Sequence, residues 1–454
     1  MNSKWFGALA AGALLSLSSA PAFAQQWLAD RTLTQGRGIR VGNFELHPGV
    51  GAEVGYDSNV FYAPPDATQS SALRIRVTPS LFFSTLGVER SRNSASNPTA
   101  LPTVNFRGGA ALAYNEWIGL SGSSRVSDLR NLGAEGQIRL EFFPGRTWQF
   151  VIADDFVRTI QPGDEIPASG ASTPRTFNRN FNTATFELAF APNRGIFEFR
   201  LGYNFIVNIF DSGAYNYNNY MTHQASARMR WRFLPKTALL WEGYFAPMNY
   251  IDTSGATTGL FSSYPLRTRF GLNGLLTEKI SLLAMVGYHG GFFVGGDNVD
   301  TVIGQAELRW IIGPRADLKV GFLRDVQNSF FGNFYIRNRG YLTWSHNFGG
   351  RVLVSVDGGV GLHQYGYVAN RDGSRTTTGT GFDPVDGSFT AVRVDGTVFS
   401  EYRVSNVFGI NLTLRGMSNI SDVRLGQATG LDGQPGQSIA WTRFEAWLGA
   451  RVNW

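Results

Sequence analysis

The sequence predicts an all-β fold, a transmembrane antiparallel up-and-down β-barrel of about 18 strands, with 16 as the alternative count, preceded by a cleaved signal peptide. Three observations predict it. From 133 to 454, runs of alternating apolar and polar residues recur, separated in turn by tight reversals and by longer polar connections. The chain opens on an export signal, yet no later apolar run approaches the roughly 18 residues that a spanning helix requires. It closes on alternating apolar residues that end in an aromatic.

Residues 1–24 read as the signal peptide. Lys4 supplies the positive end, the run from Trp5 to Leu17 the apolar stretch, and Ala22-Phe23-Ala24 the small-x-small cleavage site, so the mature chain is expected to begin at Gln25. Residues 25–43 are expected to form a periplasmic N-terminal segment, and 44–454 the outer-membrane β-barrel. The absence of Cys excludes disulfide stapling and thiolate metal sites. Abundant Gly (54), 14% aromatic residues and only 16% charge fit twisted strands, aromatic girdles and a surface partly facing lipid. The net charge of +6 comes with no nucleic-acid motif, and no nucleic-acid partner is expected.

Alternation is clearest over 137–143, where Ile138, Leu140 and Phe142 share one face and Arg139 and Glu141 the other. After Pro144-Gly145-Arg146, the residues Trp148, Phe150 and Ile152 resume the apolar face. Similar short turns fall at Asn193-Arg194-Gly195, Leu234-Pro235-Lys236, Thr277-Glu278-Lys279, Pro314-Arg315-Ala316, Phe348-Gly349-Gly350 and Val404-Ser405-Asn406. Long connections near 159–181, 251–263, 366–387 and 420–438 alternate with them. Short turns face the periplasm and long loops the exterior in such barrels. Strands are expected near 44–56, 72–86, 103–116, 132–143, 147–158, 183–191, 196–209, 220–233, 237–247, 266–276, 280–290, 300–312, 316–326, 334–346, 351–365, 389–403, 407–419 and 439–453.

The last strand places Leu448, Ala450, Val452 and Trp454 on one face. This resembles the C-terminal signal by which barrel assembly machinery recognises its substrates, with Trp in place of the usual Phe.

With the apolar face toward outer-membrane lipid, the opposite face lines the lumen. Arg74, Arg76, Arg228, Arg230, Arg232, Arg267, Arg269, Arg337, Arg339, Arg393, Arg403, Arg443 and Arg451 fall on it, together with Glu135, Glu141, Glu198, Glu307, Glu401 and Glu445. An Arg against hydrocarbon near the bilayer midplane would cost about 2 to 4 kcal/mol, which is why these side chains are expected to point into water. An Arg-rich lumen suits an anionic or sugar-rich substrate, because guanidinium offers planar bidentate donors. The plainer account is that Arg and Glu solvate the interior and brace it with ion pairs.

No enzyme, cofactor or metal is expected. The five histidines, His47, His223, His289, His346 and His363, fall on separate strands, and no Gly-x-Ser-x-Gly elbow is present. Asp154 and Asp155 are adjacent in a strand and point to opposite sides. The acidic segments at Asp297 and Asp300 and at Asp383 and Asp386 offer too few oxygens for Ca²⁺ and match ordinary turn chemistry.

The segment Gly55-Tyr56-Asp57-Ser58-Asn59-Val60-Phe61, with Val77-Thr78-Pro79-Ser80-Leu81 on the next strand, resembles the β-barrel porin 2 family. Within that family the architecture is similar to myxobacterial exopolysaccharide-export outer-membrane barrels. The resemblance implies an outer-membrane pore for secretion of an exopolysaccharide, with a polysaccharide substrate and a periplasmic polysaccharide-export protein as partners. Read from the residues alone, Tyr56 to Asn59 is an Asp/Asn turn that ends a strand. A general or anion-preferring diffusion porin, or a structural or adhesive surface barrel, stands as the alternative function.

Overall fold

The computed structural model describes residues 38–85, 103–160, 178–192, 195–211, 213–254, 260–329, 333–367, 388–429 and 435–454. The signal peptide, most of the 25–43 segment and the acidic pair Asp383 and Asp386 lie outside the described residues.

Strong period-two patterning yields a closed antiparallel barrel of 18 strands. They are β1 (Phe44–Asp57), β2 (Ser71–Thr85), β3 (Val104–Ser121), β4 (Asn131–Phe142), β5 (Trp148–Ile160), β6 (Asn178–Phe190), β7 (Phe197–Phe210), β8 (Tyr220–Leu234) and β9 (Thr237–Phe245). The second half comprises β10 (Ser263–Leu275), β11 (Ile280–Phe293), β12 (Val299–Gly313), β13 (Ala316–Asn328), β14 (Phe334–Phe348), β15 (Val352–Tyr365), β16 (Phe389–Arg403), β17 (Phe408–Ile420) and β18 (Trp441–Asn453). Each pairs with its sequence neighbours, and β18 pairs back onto β1, with Gly49 opposite Asn453 and Asp57 opposite Glu445. Closure leaves no exposed sheet edge, the requirement for a strand protein in hydrocarbon.

Three departures from the sequence expectation have local causes. β6 begins at Asn178, not 183, because Asn178, Asn180 and Asn182 continue the ladder against β5 despite their polarity. β9 breaks at Ala246-Pro247, where Pro247 has no N–H to donate, and Met248–Tyr250 then resumes pairing with β8 and β10. Before β1, Ile39–Val41 folds back on Phe44, Glu45 and Leu46 through Gly42, whose positive φ of 61° suits a residue without Cβ.

Side chains at alternate positions form an outward apolar belt, including Val54, Leu112, Phe150, Phe270, Val360 and Leu448, all exposed. In water such a belt would drive association; against lipid it is the surface a membrane barrel needs. Leu448 and Trp454 lie on it, with Ala450 and Val452 in the same register. Buried apolar clusters are small; most sit toward the long-loop end, as with Val60, Ala72, Trp117, Val126 and Leu129, while Leu353 and Phe399 lie near a short turn. The interior is therefore mostly polar.

Candidate functional site: the lumen wall

Strands β1, β2, β17 and β18 carry the most tightly packed part of the inner face. Asp57 receives Arg443 through Nε at 3.1 Å and Nη2 at 2.5 Å, and Arg74 Nη1 at 3.3 Å. Glu445 accepts from Arg74 at 2.9 Å and from Arg443 at 2.5 Å, with Arg415 3.8 Å away. Two residues deeper along the strands, Arg76 pairs with Glu53, and toward the short turns Arg451 pairs with Glu401. The guanidinium of Arg74 lies 3.8 Å from the ring centre of Trp117 and 4.5 Å from that of Trp447. All of these acids and arginines except Arg415 are buried, although they face the lumen. Side chains fill that side of the barrel.

The connection from β1 to β2 folds onto the same wall. Asn59 is fully buried; its Nδ2 donates to the carbonyls of Ala63 (2.7 Å) and Thr442 (3.1 Å), and its Oδ1 accepts from the Ala63 N–H (2.8 Å). Tyr62 packs edge-on against Trp441 at 4.6 Å, under the guanidinium of Arg443. Asp66 pairs with Arg424, tying this connection to the one between β17 and β18. The segment expected to be a simple strand-ending turn therefore does more: Asp57 turns inward into the ion network, Asn59 clamps the connection, and Tyr56 faces outward.

A second, more open group lies near the short turns on β3 to β10. Glu187 receives Arg200 at 2.5 Å and also Arg228, while Glu198 receives Arg200 and Arg230. Arg269 pairs with Glu242. Arg232 donates through Nε to the Gly195 carbonyl at 2.9 Å, at the β6–β7 turn. Arg107 and Arg139 stand directly opposite one another across β3 and β4, and both approach Glu141 Oε1, at 3.7 and 2.7 Å.

On β10 to β16, Arg267 donates to the Val326 carbonyl at 2.9 Å and to His289 Nδ1 at 3.4 Å. Asp325 takes Arg337 in a fork at 3.0 and 2.9 Å. Arg339 bridges Asp395 (2.5 Å) and Asp357 (3.6 Å). Arg403 pairs with Glu401 at 3.0 Å, Arg393 lies over Trp441 at 5.6 Å, and Glu307 accepts from Tyr341 Oη at 2.7 Å. Glu135 shares a face with Glu141 on β4.

The arginines and glutamates singled out from the sequence thus occupy one face but do not converge on one point; they are spread around the wall. Their partners Glu53, Glu187, Glu242, Asp325, Asp357 and Asp395, and the further cations Arg107, Arg200 and Arg415, escaped the sequence reasoning, which read Asp57 as a strand-ending turn and placed Arg139 on the face of Glu141 without a lumen role. All were accessible to the same parity rule, applied to every strand. Of the histidines, His289 and His363 are buried inward, whereas His223 is outward and meets Tyr203 Oη at 2.7 Å. Asp154 accepts from Asn182 at 3.0 Å. Among the described residues, no group of three or more His or acidic side chains is placed to hold a metal.

A closed antiparallel strand barrel with an apolar exterior and a charged, ion-paired interior has the architecture of an outer-membrane β-barrel. No family model matches the chain, and no curated protein matches it. Among solved structures it is similar to OpdK of Pseudomonas aeruginosa (11% identity, 90% of this chain and 99% of that one, TM-score 0.44). It is also similar to OpdQ of the same organism (11%, 90% and 98%, 0.45) and to OccAB3 of Acinetobacter baumannii (10%, 91% and 100%, 0.44). Likeness at this level assigns no substrate.

Proposed function

We propose that the protein is a diffusion porin that prefers small anionic solutes. One observation carries this reading: in the open ion pairs on β3 to β8 the arginine is the end that meets water, whereas the Arg269–Glu242 pair on β9 and β10 is the reverse, 9% against 15%. The Arg107 side chain is 62% exposed against 22% for Glu141, Arg230 34% against 13% for Glu198, and Arg200 26% against 7% for Glu187. Carboxylates lie beneath and arginines lie on top. A solute passing along β3 to β8 meets positive charge and forked donors first, and such a field concentrates anions.

Planar-bilayer recording in a KCl gradient tests it. The reversal potential should take the sign of chloride selectivity, and Arg228→Gln with Arg230→Gln should lower the chloride-to-potassium permeability ratio by about 3-fold or more. A cation-selective wild-type channel would overturn the reading.

Exopolysaccharide export is the second reading and rests on the segment from Gly55 to Phe61. It requires a periplasmic export partner, and surface polysaccharide that is lost on gene deletion and restored by complementation would favour it. Insertion by the barrel assembly machinery suits either reading, given the outward row ending at Trp454.

A further inference from the structure

On β13 to β15 the outward row changes character toward the long-loop end, where Arg324, Asn338 and Gln364 follow the apolar belt. Two cations elsewhere at that end are paired with acids: Arg130 with Glu116 at 2.7 Å and Arg158 with Asp211 at 2.5 Å. Arg324 on β13 differs. It follows Val320 and Phe322 on the outward face. Its Nε donates to the Val302 carbonyl (2.9 Å), Nη1 to Asn338 Oδ1 (2.6 Å) and Nη2 to Thr301 Oγ1 (2.9 Å). Each of these acceptors is neutral. Asn338 Nδ2 donates onward to Gln364 Oε1 at 3.1 Å, extending the patch to β15, where Gln364 follows Val360 and Leu362 on the outward face. The acid at the same end of the facing strand, Asp300, is engaged by Tyr288 on the β11 side, the adjacent Asp325 is taken by Arg337 on the opposite face, and among the described residues no ion pair joins either to Arg324.

We propose that this patch binds the phosphate of a membrane lipid in the leaflet at the long-loop end. A guanidinium has five N–H donors, of which Arg324 spends three on the protein, and the Gln364 amide nitrogen is turned free by the bond to its oxygen. The unspent groups of the guanidinium are donors on a positive charge, so the complementary ligand is an oxyanion. The position selects the source: Arg324 stands immediately beside exposed Val302 and Phe322, where hydrocarbon gives way to headgroups. A cation held there without a carboxylate costs free energy unless an anion meets it, and a lipid phosphate reaches that depth with its acyl chains along the belt.

Native mass spectrometry of the full-length barrel, with phosphatidylglycerol and an uncharged glycosyl diacylglycerol as probes, tests the proposal. Wild type should retain phosphatidylglycerol in preference to the glycolipid, and Arg324→Gln should weaken that retention by about 10-fold. Arg158→Gln, which removes a cation already paired, should leave it within about 2-fold. Equal retention of the two lipids by wild type would overturn the proposal without any variant, and so would unchanged retention by Arg324→Gln. Should the Gln variant fail to fold, Arg324→Lys replaces it: the charge stays but the fork is lost, so binding should weaken, and wild-type retention would count against the site.

Discussion

Trp447 lies across Gly55. A Cβ on Gly55 would stand 2.4 Å from the indole Cδ2 and Cε3, and the two residues are register partners across the seam that closes the barrel. Gly55 has an ordinary strand backbone, so what it supplies is room and not conformational freedom. Seated there, the indole reaches the guanidiniums of both Arg74 and Arg76, each 4.5 Å from its ring. Gly55→Val should therefore displace Trp447 and cost about 1–3 kcal/mol by overpacking. The urea midpoint of the folded barrel, followed by its altered gel mobility, reads this. A wild-type midpoint would mean that the indole has a second seat of equal energy.

Asp57 and Arg443 form the buried hinge of the same seam. Asp57→Asn keeps the volume and removes the charge, but Arg443 retains Glu445 at 2.5 Å. The expected cost is about 3 kcal/mol, the low end for opening a buried pair. Adding Arg443→Met to Asp57→Asn should cost less than the sum of the two single changes, because the second substitution removes the group that the first leaves unpaired. Additive urea midpoints would show that the two side chains are not coupled.

Strand order, turns and outward faces were legible because period-two patterning is local, and lipid outside with water inside makes that pattern strict. β6 was cut short because Asn178, Asn180 and Asn182 put polar side chains where the belt should be apolar, and only their pairing with β5 shows that they belong to the ladder. Arg228 and Arg230 were legible as inward residues. That Glu187 sits between Arg200 and Arg228 was not, because it depends on three strands meeting across the sheet. Asp57 looked like turn chemistry since its main partner is 386 residues away, and nothing within its own strand announces Arg443.

Asn59 gives the last prediction, because its contacts separate the connection after β1 from the seam beneath it. Its amide donates to two carbonyls, Ala63 and Thr442, and Asn59→Asp would turn those donors into acceptors facing acceptors, next to the carboxylate of Asp57. The strand pairing of β1 with β2 and β18 does not pass through this side chain. The damage should therefore stay local: exchange of the Ala63 amide, which now donates to Asn59 Oδ1, and of the Val60 amide, which donates to the Ser70 carbonyl, should quicken by about 100-fold. The urea midpoint of the barrel should stay close to wild type. Hydrogen exchange followed by mass spectrometry measures the first and gel mobility the second, and a midpoint that fell as far as local protection would place Asn59 in the seam itself.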